Sequence, residues 1–592
     1  MTYRAPVEDI LFAMRHAAGL DHGLENGLYA DLADGVAEAV LEEAAKFAED
    51  RIAPLNRTGD KETSRLVDGK VVVPAGFTEA YRDWAAGGWA GVAADPEFGG
   101  QGLPVVLNIA CTEIWNSANL AFSLNPLLTM GAVEAVTAHG SDYLKQTFLA
   151  KMISGEWTGT MNLTEPQAGS DLALLTSRAE PVGDGTYRIF GSKIFITYGD
   201  HEMTENIVHL FLARLPGAPP GTRGISLFLV PKFVVNADGS LGARNDVRCH
   251  ALEHKLGIHA SPTATMIFGD NGGAIGYLVG EENKGLNCMF TMMNNARLAV
   301  GVQGVAVAER AYQQALAYAQ DRKQGRAVGA PAASPIIEHP DVKRMLLEMR
   351  AKTAAARALC LVTAAALDRY HRLEDAEARR IAHEEASLLT PVAKAFSTDI
   401  GIEVASSGVQ IHGGMGFIEE TGAAQHYRDA RILAIYEGTN GIQAIDLVMR
   451  KLPLSDGKRV GAMIAGYRQS AEKAGTINDP GFQRVGERLK AAVASLERAT
   501  DYMLDNLKAN PNAALAGATP YLRLFALASG GAYLADLALA SRVAISAGDS
   551  DPRHALRIRD ARFFAENLAS AAPGIEASVL DGAEAINAAF AE

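Results

Sequence analysis

Apolar residues recur at helical spacing over most of the chain. In the stretch 35–51, Val36, Val40, Ala44 and Phe47 follow one another at steps of three or four, which places them on one face of a helix. The same periodicity, in segments rich in Ala and Leu, predicts long helices over 285–320, 342–370 and 374–408, and further helices over 481–506 and 521–547.

The middle of the chain has a different pattern. Short segments rich in Ile, Val, Phe and Tyr, typical of strands, cover 187–197, 207–212, 225–230 and 263–268. Asp184-Gly185 precedes the first of them and is a hairpin signal. We therefore predict an α+β multidomain protein. It has an N-terminal helical domain (1–159), a central β domain (160–277), a helical bundle (278–452) and a C-terminal helical extension (453–592).

The composition is that of a globular chain that can bury large cores, with 48% apolar and 21% charged residues. The formal net charge of −14 argues against a nucleic-acid partner, since phosphate backbones attract basic surfaces. The most apolar late segment, 524–535, is shorter than the roughly 20 residues that a membrane span needs. No membrane insertion is therefore predicted.

The N-terminus has Glu8 and Asp9 ahead of a short apolar run, which matches neither a signal peptide nor an Arg-rich transit peptide. The four cysteines show no C-x-x-C spacing, which suits a reducing compartment. We predict a cytoplasmic protein. Cys249 and the three histidines that follow it within 250–259 match no zinc spacing, so no metal is expected.

Glu437 is the strongest candidate for acid–base chemistry. It lies between the apolar run 432–436 and the breaker 438–441 (Gly-Thr-Asn-Gly), so the chain turns there. A carboxylate held against apolar side chains is desolvated on one side, which raises its pKa and suits it to take a proton from a weak carbon acid. A glutamate in a surface loop would give the same pattern, and this stretch alone leaves both interpretations open.

Four separated motifs together resemble the acyl-CoA dehydrogenase family, over residues 34 to about 451. In chain order they are 164–171 (Thr-Glu-Pro-Gln-Ala-Gly-Ser-Asp), the long helix that ends near Arg322, 410–417 (Gln-Ile-His-Gly-Gly-Met-Gly-Phe) and the turn at Glu437. The resemblance implies a barrel-like β domain between helical domains. It also implies an FAD-dependent enzyme that converts an acyl-CoA to a trans-2-enoyl-CoA.

In that family the residue matching Glu437 is the base that removes the α-proton, while the β-hydrogen leaves as hydride to the flavin. Some members have the base on the long helix instead. The matching position here is Ala296, which cannot accept a proton. The resemblance therefore assigns the catalytic role to Glu437.

The resemblance also assigns residues to FAD. The matching positions are Met161, Leu163, Thr164, Gly169, Ser170, Phe195, Ile196, Thr197, Arg322, Gln324, Gln410, Gly413, Gly414, Thr439 and Asn440. Without the resemblance, these segments are ordinary turns and strand ends. Gly325 directly follows Gln324, where many members have an aromatic residue before the glycine. The turn 410–414 matches one that contacts FAD in the neighbouring subunit, which implies a homodimer.

For the acyl-CoA substrate the matching residues are Ser170, Asn294, Arg297, Tyr436 and Gly438, with Asn294 and Arg297 at the nucleotide end; an exposed helix arginine is the alternative for Arg297. The extension and the segment 255–263 are similar to a branch that oxidises 3-(methylthio)propanoyl-CoA, the substrate we expect. Straight-chain acyl-CoA is the alternative. An electron-transfer flavoprotein is the expected electron acceptor. An acyl-CoA oxidase and a flavin-free CoA-binding protein are further alternatives.

Overall fold

The structure is a computed structural model that describes residues 3–589. A helical region, a β domain, a helical bundle and a second helical region follow one another along the chain. The predicted fold class is confirmed.

The N-terminal region is helical apart from one short hairpin. Its helices are α1 (Val7–His16), α2 (Leu20–Glu25), α3 (Val36–Phe47), α4 (Ala53–Glu62), α5 (Phe77–Ala86), α6 (Val105–Ala118), α7 (Leu120–His139), α8 (Asp142–Leu144) and α9 (Ala150–Ile153). Strands β1 (Arg65–Val67) and β2 (Lys70–Val72) form the antiparallel hairpin. Helix α3 is the one predicted from the apolar spacing over 35–51, and the chain continues from it through a π-helical turn, Ala48–Ile52.

The β domain is built from ten strands. They are β3 (Trp157–Asn162), β4 (Arg178–Pro181), β5 (Tyr187–Thr197), β6 (Asn206–Arg214), β7 (Ile225–Pro231), β8 (Phe233–Val235), β9 (Leu241–Arg244), β10 (Val247–Leu252), β11 (Thr263–Phe268) and β12 (Ala274–Val279). Strand β4 pairs with β5 and also with β6, so β5, β12, β7, β6 and β4 form a closed ring. This closure makes the domain barrel-like, since a closed ring leaves no free edge among its strands.

The four predicted strands all exist, at β5, β6, β7 and β11, and the Asp184-Gly185 hairpin joins β4 to β5. Six strands were not predicted. Strand β3 is buried on both faces and has small residues in place of the expected alternation. Strands β4, β8 and β9 have only three or four residues, β10 has polar residues among its apolar ones, and β12 is interrupted by Gly276. The pairing of these strands depends on their neighbours more than on local preference.

Three long helices form the bundle: α10 (Gly285–Asp321), α11 (Pro340–Arg372) and α12 (Ala376–His412). They agree within a few residues with the predicted ranges. Two short helices follow, α13 (Ala423–Ala430) and α14 (Asn440–Asp446). Helices α10 and α12 approach closely at Gly301 and Gly304. A Cβ on Gly304 would lie 2.2 Å from the Ser397 carbonyl oxygen, so this crossing requires glycine.

The extension is helical, as its periodicity predicts. Its helices are α15 (Lys458–Thr476), α16 (Pro480–Ala509), α17 (Pro511–Ala516), α18 (Ala518–Ser546), α19 (Pro552–Phe563), α20 (Ala572–Asp581) and α21 (Ala583–Ala588). Helix α18 packs on α11 and α12 of the same chain, and Arg523 of α18 pairs with Glu403 of α12 at 3.1 Å. The extension therefore covers one face of the bundle.

Within residues 3–589, two helices are long and apolar enough to cross a membrane by length and composition, α7 and α18. The expectation that the late apolar segment is too short is therefore wrong, because the apolar window extends beyond 524–535 along α18. In the fold, 83% of the window in α7 and 78% of that in α18 is buried. This burial is typical of core helices in a folded domain.

Candidate functional site

Glu437 lies in a tight turn in front of α14. Its φ of 54° is in the left-handed region, which costs a non-glycine residue about 1 kcal/mol or more. Gly438 follows with φ 82°, and the Thr439 hydroxyl caps α14 by accepting a hydrogen bond from the Ile442 N–H at 3.3 Å. The Gln443 amide donates to the Glu437 carbonyl at 3.1 Å and to the Gly438 carbonyl at 3.2 Å. The surrounding contacts thus hold a strained residue in place.

The Glu437 side chain is partly buried, and its carboxylate makes no hydrogen bond to the described side chains. Burial raises the pKa of this carboxyl above its ordinary value, while Arg297 and Lys394 act to lower it. The result is a carboxylate that binds a proton more readily than an exposed glutamate and has free oxygens to do so. The desolvation predicted for this carboxylate is present.

The backbone N–H of Glu437 makes no hydrogen bond to another described residue. Backbone N–H groups in folded proteins are nearly always paired, so a free one at a half-buried turn is a candidate ligand contact. It can donate to an oxygen placed against the turn. Glu437 therefore offers a proton acceptor and a hydrogen-bond donor from a single residue.

A buried lysine lies behind this turn. Lys394, in the middle of α12, donates from Nζ to the Gly438 carbonyl at 2.9 Å and to Asn440 Oδ1 at 3.0 Å. Desolvation lowers the pKa of its ammonium group to about 7, although Glu437 and Asp399 act to raise it. Lys394 belongs to none of the four motifs, so sequence reasoning missed it. The available signal was one charge inside the apolar run 392–396.

The resemblance assigns Asn440 to FAD, but its side chain faces the protein interior. Its amide donates to Asp399 at 2.7 Å and to Thr398 at 3.0 Å, and its oxygen accepts from Lys394. These contacts engage both polar atoms of the side chain, which therefore anchors the turn to α12. The hydroxyl proton of the neighbouring Thr439 is still available to a ligand.

Arg297 is buried, with its side chain 7% exposed, and pairs with Asp446 of α14 at 3.1 Å. The alternative of an exposed helix arginine is therefore wrong. Its Nη2 lies 3.9 Å from where a Cβ on Gly438 would stand. The guanidinium therefore supports the turn 437–439, called the base turn below after the role predicted for Glu437, and does not face solvent as a nucleotide contact would. Asn294 lies on the same helix, but its side chain is outside the described part of the structure.

Tyr436, next to Glu437, is tied to the N-terminal domain. Its hydroxyl donates to Gln303 Oε1, and Gln303 Nε2 donates to Asn116 Oδ1 of α6 at 3.2 Å. Ala296, at the alternative base position, is buried and has no proton acceptor. Among the two positions that the family uses, only Glu437 has a carboxylate.

The end of β3 and the loop after it lie on the same side as the base turn. Met161 of β3 belongs to the core cluster that contains Met292 and Ala296 of α10, and Leu163 packs against that cluster. The loop continues through exposed Gly169 and Ser170. This core connects the loop 164–170, which is predicted to contact the flavin, to the half of α10 that carries Arg297.

The end of β5 adjoins that loop, since the Ile194 N–H donates to the Thr164 carbonyl at 3.0 Å. Phe195 has φ 61° and the residue is 59% exposed, which is unusual for a large apolar residue. Ile196 is buried, so only its backbone can meet a ligand, and Thr197 is half-buried.

A buried ion pair that sequence reasoning missed lies beneath this loop. Lys193 Nζ is 2.8 Å from Glu165 and donates to the Leu163 carbonyl at 3.0 Å. Burial raises the pKa of Glu165, but Lys193 and the hydrogen bonds from Ser177 and Thr176 outweigh burial and lower it to about 2. The pair fixes the backbone on both sides of Thr164.

The remaining predicted FAD residues are exposed and gather at the other end of α10. Arg322 follows the last turn of this helix and its Nη2 lies 3.4 Å from Gln324 Oε1. The turn 410–414 adjoins them, because Tyr318 of α10 stacks on His412 with ring centroids 4.3 Å apart. Gly413 and Gly414 have open space at their Cβ positions. The predicted FAD residues therefore form two groups within one chain.

The two groups are far apart. At a rise of about 1.5 Å per residue, Arg297 and Arg322 are separated by about 37 Å along α10. The proximal group contains the base turn, the loop 164–170 and the end of β5; the distal group contains Arg322, Gln324 and the turn 410–414. In a single chain, one cofactor would have to span this distance to meet both.

Family models match the chain in the order of its regions. The matches are "Acyl-CoA dehydrogenase, N-terminal domain" over 36–156, "middle domain" over 160–271, "C-terminal domain" over 283–452, and "Acetyl-CoA dehydrogenase C-terminal like" over 460–589. A 3-methylmercaptopropionyl-CoA dehydrogenase of Ruegeria pomeroyi is 50% identical over 96% of both chains. The chain belongs to the acyl-CoA dehydrogenase family. The family suggested by the four motifs is confirmed.

Solved structures share the fold of this acyl-CoA dehydrogenase. Caenorhabditis elegans ACDH-11 in complex with C11-CoA covers all of the chain, with 96% of its own length matched, 19% identity and a TM-score of 0.78. A structure described as an electron transferring flavoprotein of Acidaminococcus fermentans covers 69% of the chain, with 96% of its own length matched, 26% identity and a TM-score of 0.58. The first similarity includes the extension, which is therefore part of a known arrangement of this fold.

The cofactor of the family is FAD, and the residues present fit it. The loop with small residues at 168–170 and the exposed ring of Phe195 together offer a surface that a flat aromatic ring can approach. Arg322 offers a planar cation for a phosphate, and the open turn at Gly413 and Gly414 lets a ligand approach the backbone. These residues would hold the isoalloxazine ring in the proximal group and the pyrophosphate end in the distal group.

Proposed function

We propose that this acyl-CoA dehydrogenase oxidises 3-(methylthio)propanoyl-CoA to the corresponding trans-2-enoyl-CoA. The observation that carries the proposal is the 50% identity, over 96% of both chains, to the Ruegeria pomeroyi enzyme whose name specifies this substrate. Similarity over nearly the full length of both chains includes the extension and all residues of the candidate site.

In this proposal Glu437 is the base. Its carboxylate takes the α-proton of the thioester, and the electron pair of the broken C–H bond forms the α,β double bond as hydride leaves the β-carbon. FAD, when bound, supplies the acceptor for that hydride. The free N–H of Glu437 donates to the thioester oxygen, on which negative charge develops, and a preorganised donor of this kind contributes about 3 kcal/mol to lowering the barrier.

The position of Glu437 supports this role. The turn holds the carboxylate without a hydrogen bond, and the raised pKa makes it a stronger base than an exposed glutamate. Arg297 and Lys394 keep enough positive charge nearby for the carboxylate to ionise. A base must be ionised before it can accept the α-proton, so both effects serve the reaction.

We propose an electron-transfer flavoprotein as the electron acceptor. The similarity to a structure described by that name supports this choice, and the oxidase remains the outcome to exclude. In an anaerobic cuvette, substrate should bleach the bound flavin. Subsequent addition of electron-transfer flavoprotein should restore the colour much faster than air does, and fast peroxide production in air would indicate an oxidase.

We also propose a homodimer in which each FAD is held by both protomers. The separation of about 37 Å along α10 between Arg297, beside the proximal group, and Arg322 of the distal group supports this arrangement, because a second copy can bring its distal group to the proximal group of the first. The extension covers one face of the bundle and so removes that face from further assembly.

The substrate is tested with a matched pair of thioesters. Pentanoyl-CoA has the same chain length as 3-(methylthio)propanoyl-CoA and differs only in a methylene in place of the sulfur. We expect kcat/KM for the sulfur compound to exceed that for pentanoyl-CoA, and both to exceed those for long acyl-CoAs. Equal or higher kcat/KM for pentanoyl-CoA or for longer chains would instead indicate a straight-chain acyl-CoA dehydrogenase.

A further inference from the structure

Lys394 lies where helices α10 and α12 approach each other closely. A Cβ on Gly301 of α10 would lie 2.9 Å from the Ala393 carbonyl oxygen and 3.3 Å from Lys394 Cα, so the helices meet where Lys394 begins. The side chain passes from there to the base turn and is wholly buried. Burying an ammonium group costs free energy unless a charged partner or hydrogen bonds offset its lost hydration.

No carboxylate of the described residues lies within 4.0 Å of the Lys394 ammonium. Its hydrogen bonds go to a carbonyl and an amide oxygen, both of which are neutral. The other buried cation at the turn, Arg297, has its charge balanced by Asp446 at 3.1 Å. Below its lowered pKa of about 7, Lys394 therefore places a positive charge behind Glu437 that no close ion pair balances.

Other charged groups face the same turn. Asp399 of α12 is held by the Asn440 amide, and burial raises the pKa of its carboxyl. Asp446 is shared between Arg297 and Arg450, the latter at 3.4 Å. Lys451 lies beyond Asp446, and desolvation lowers the pKa of its ammonium. Tyr436 is neutral, because burial raises the pKa of its phenol far above the ordinary value.

We propose that Lys394 is a positioning residue for the base: it fixes the Gly438 carbonyl and, through its positive charge, favours the ionised form of Glu437. The proposal rests on the proposed role of Glu437. Lys394 does not touch the substrate. Its hydrogen bond to Gly438 stabilises the left-handed turn, while its charge sets the pH above which the base can accept a proton.

Three substitutions separate the charge from the hydrogen bond. Lys394→Met removes both, Lys394→Gln retains a donor without charge, and Lys394→Arg retains the charge. The measurement is the rate of anaerobic flavin reduction in a single turnover, followed against pH. Wild type should show an acid limb, where the rate rises with pH as Glu437 ionises.

Loss of a nearby positive charge raises the pKa of a carboxyl by about 1 unit or more. The acid limb of the Met and Gln variants should therefore move to higher pH by about 1 unit, with about a tenfold lower rate on the limb and a rate near that of wild type above it. The Arg variant should keep the wild-type limb. If the Met variant does not fold, the position of the acid limb in the Gln variant compared with the Arg variant still tests the role of the Lys394 charge.

Lys352→Met is the matched control. Lys352 is another buried bundle lysine, paired with Glu348 at 2.6 Å and Glu403 at 2.7 Å, so its loss also damages packing and ion pairs. Its acid limb should stay in place. Rates lowered equally at all pH values in the Met and Gln variants, without a shift of the limb, would overturn the proposal.

Glu437→Gln, measured alongside, separates the two hypotheses. If this variant bleaches normally, the base is elsewhere and the proposed function of Glu437 fails first. If it fails to bleach while Lys394→Gln has an unshifted limb, Glu437 is the base and only the role of Lys394 is refuted.

Discussion

Asp9, in the first helix, accepts a hydrogen bond from Arg557 in the extension at 2.7 Å. Arg350 of the bundle approaches the same carboxylate at 3.4 Å and pairs with Asp560 of the extension at 2.8 Å. One carboxylate therefore links the N-terminal helix, the bundle and the extension. Burial raises the pKa of Asp9, but Arg350 and Arg557 outweigh it and lower the pKa below its ordinary value.

Asp9→Asn should destabilise the folded chain by about 1.5–3 kcal/mol near pH 7, the worth of a hydrogen bond to a charged group. Because the folded-state pKa is lowered, this stabilisation is fully present above the unfolded-state pKa of about 3.9 and is lost as pH falls below it. Urea unfolding at several pH values measures the difference. The variant and wild type should converge in stability in the acid range.

Glu8→Gln is the control for this change. Glu8 is the neighbouring residue, its side chain is 63% exposed and it lies 3.7 Å from Arg553. An exposed pair contributes little, so its loss should change the stability by less than about 1 kcal/mol. Equal changes in the free energy of unfolding for the two substitutions would show that the contacts of Asp9 contribute no more to stability than an exposed ion pair.

Glu437→Gln should lower the rate of flavin reduction by at least about a hundredfold, because glutamine keeps the shape but cannot accept the α-proton. The FAD content should equal that of wild type. Stopped-flow bleaching with 3-(methylthio)propanoyl-CoA measures the rate, and an absorbance spectrum measures the flavin. Near-normal bleaching in this variant would place the base elsewhere.

Arg322→Ala should weaken FAD binding by about 1.5–3 kcal/mol, since it removes a charged donor from the phosphate position. The purified variant should lose flavin on dilution or in mild chaotrope. Arg326→Ala, an exposed arginine in the loop after α10, is the control and should keep its flavin. Retention in both variants would remove Arg322 from the FAD site.

The shared site predicts complementation between two defective chains. In a mixed dimer of Glu437→Gln and Arg322→Ala, one site receives Glu437 from one protomer and Arg322 from the other, so both residues are intact there. Differently tagged chains, co-expressed and purified through both tags, should therefore recover up to about half of the wild-type activity. If each site used both residues of one chain, every site in the mixed dimer would be defective.

Assembly is tested by mass. Light scattering at low micromolar concentration should give twice the chain mass of 62.7 kDa, because the extension already covers one face of the bundle. A tetramer with the extension intact would contradict this expectation. Measuring the Asp9→Asn variant as well would show whether a loosened extension permits further assembly.

Helix periodicity in the sequence determined the long bundle helices, and short segments rich in Ile, Val, Phe and Tyr determined β5, β6, β7 and β11. Strands β6 and β7 are buried on both faces, so their composition and not an alternation revealed them. Strand β3 is also buried on both faces and escaped prediction, because its sequence, Trp-Thr-Gly-Thr-Met-Asn, lacks a run of Ile, Val, Phe and Tyr. The closure of the barrel also escaped, because it depends on the pairing of β4 with strands on both sides.

At the candidate site, the sequence by itself indicated Glu437 as a candidate base, since it stands between an apolar run and a turn breaker, and the family resemblance assigned the role to it because Ala296 occupies the alternative position. Only the tertiary structure decided what surrounds it. Lys394 and Arg297 come from different helices, and the inward orientation of Asn440 depends on the packing of α14 against α12. Desolvation and ion pairing depend on which segments of the chain pack together in space, which local sequence patterns do not encode.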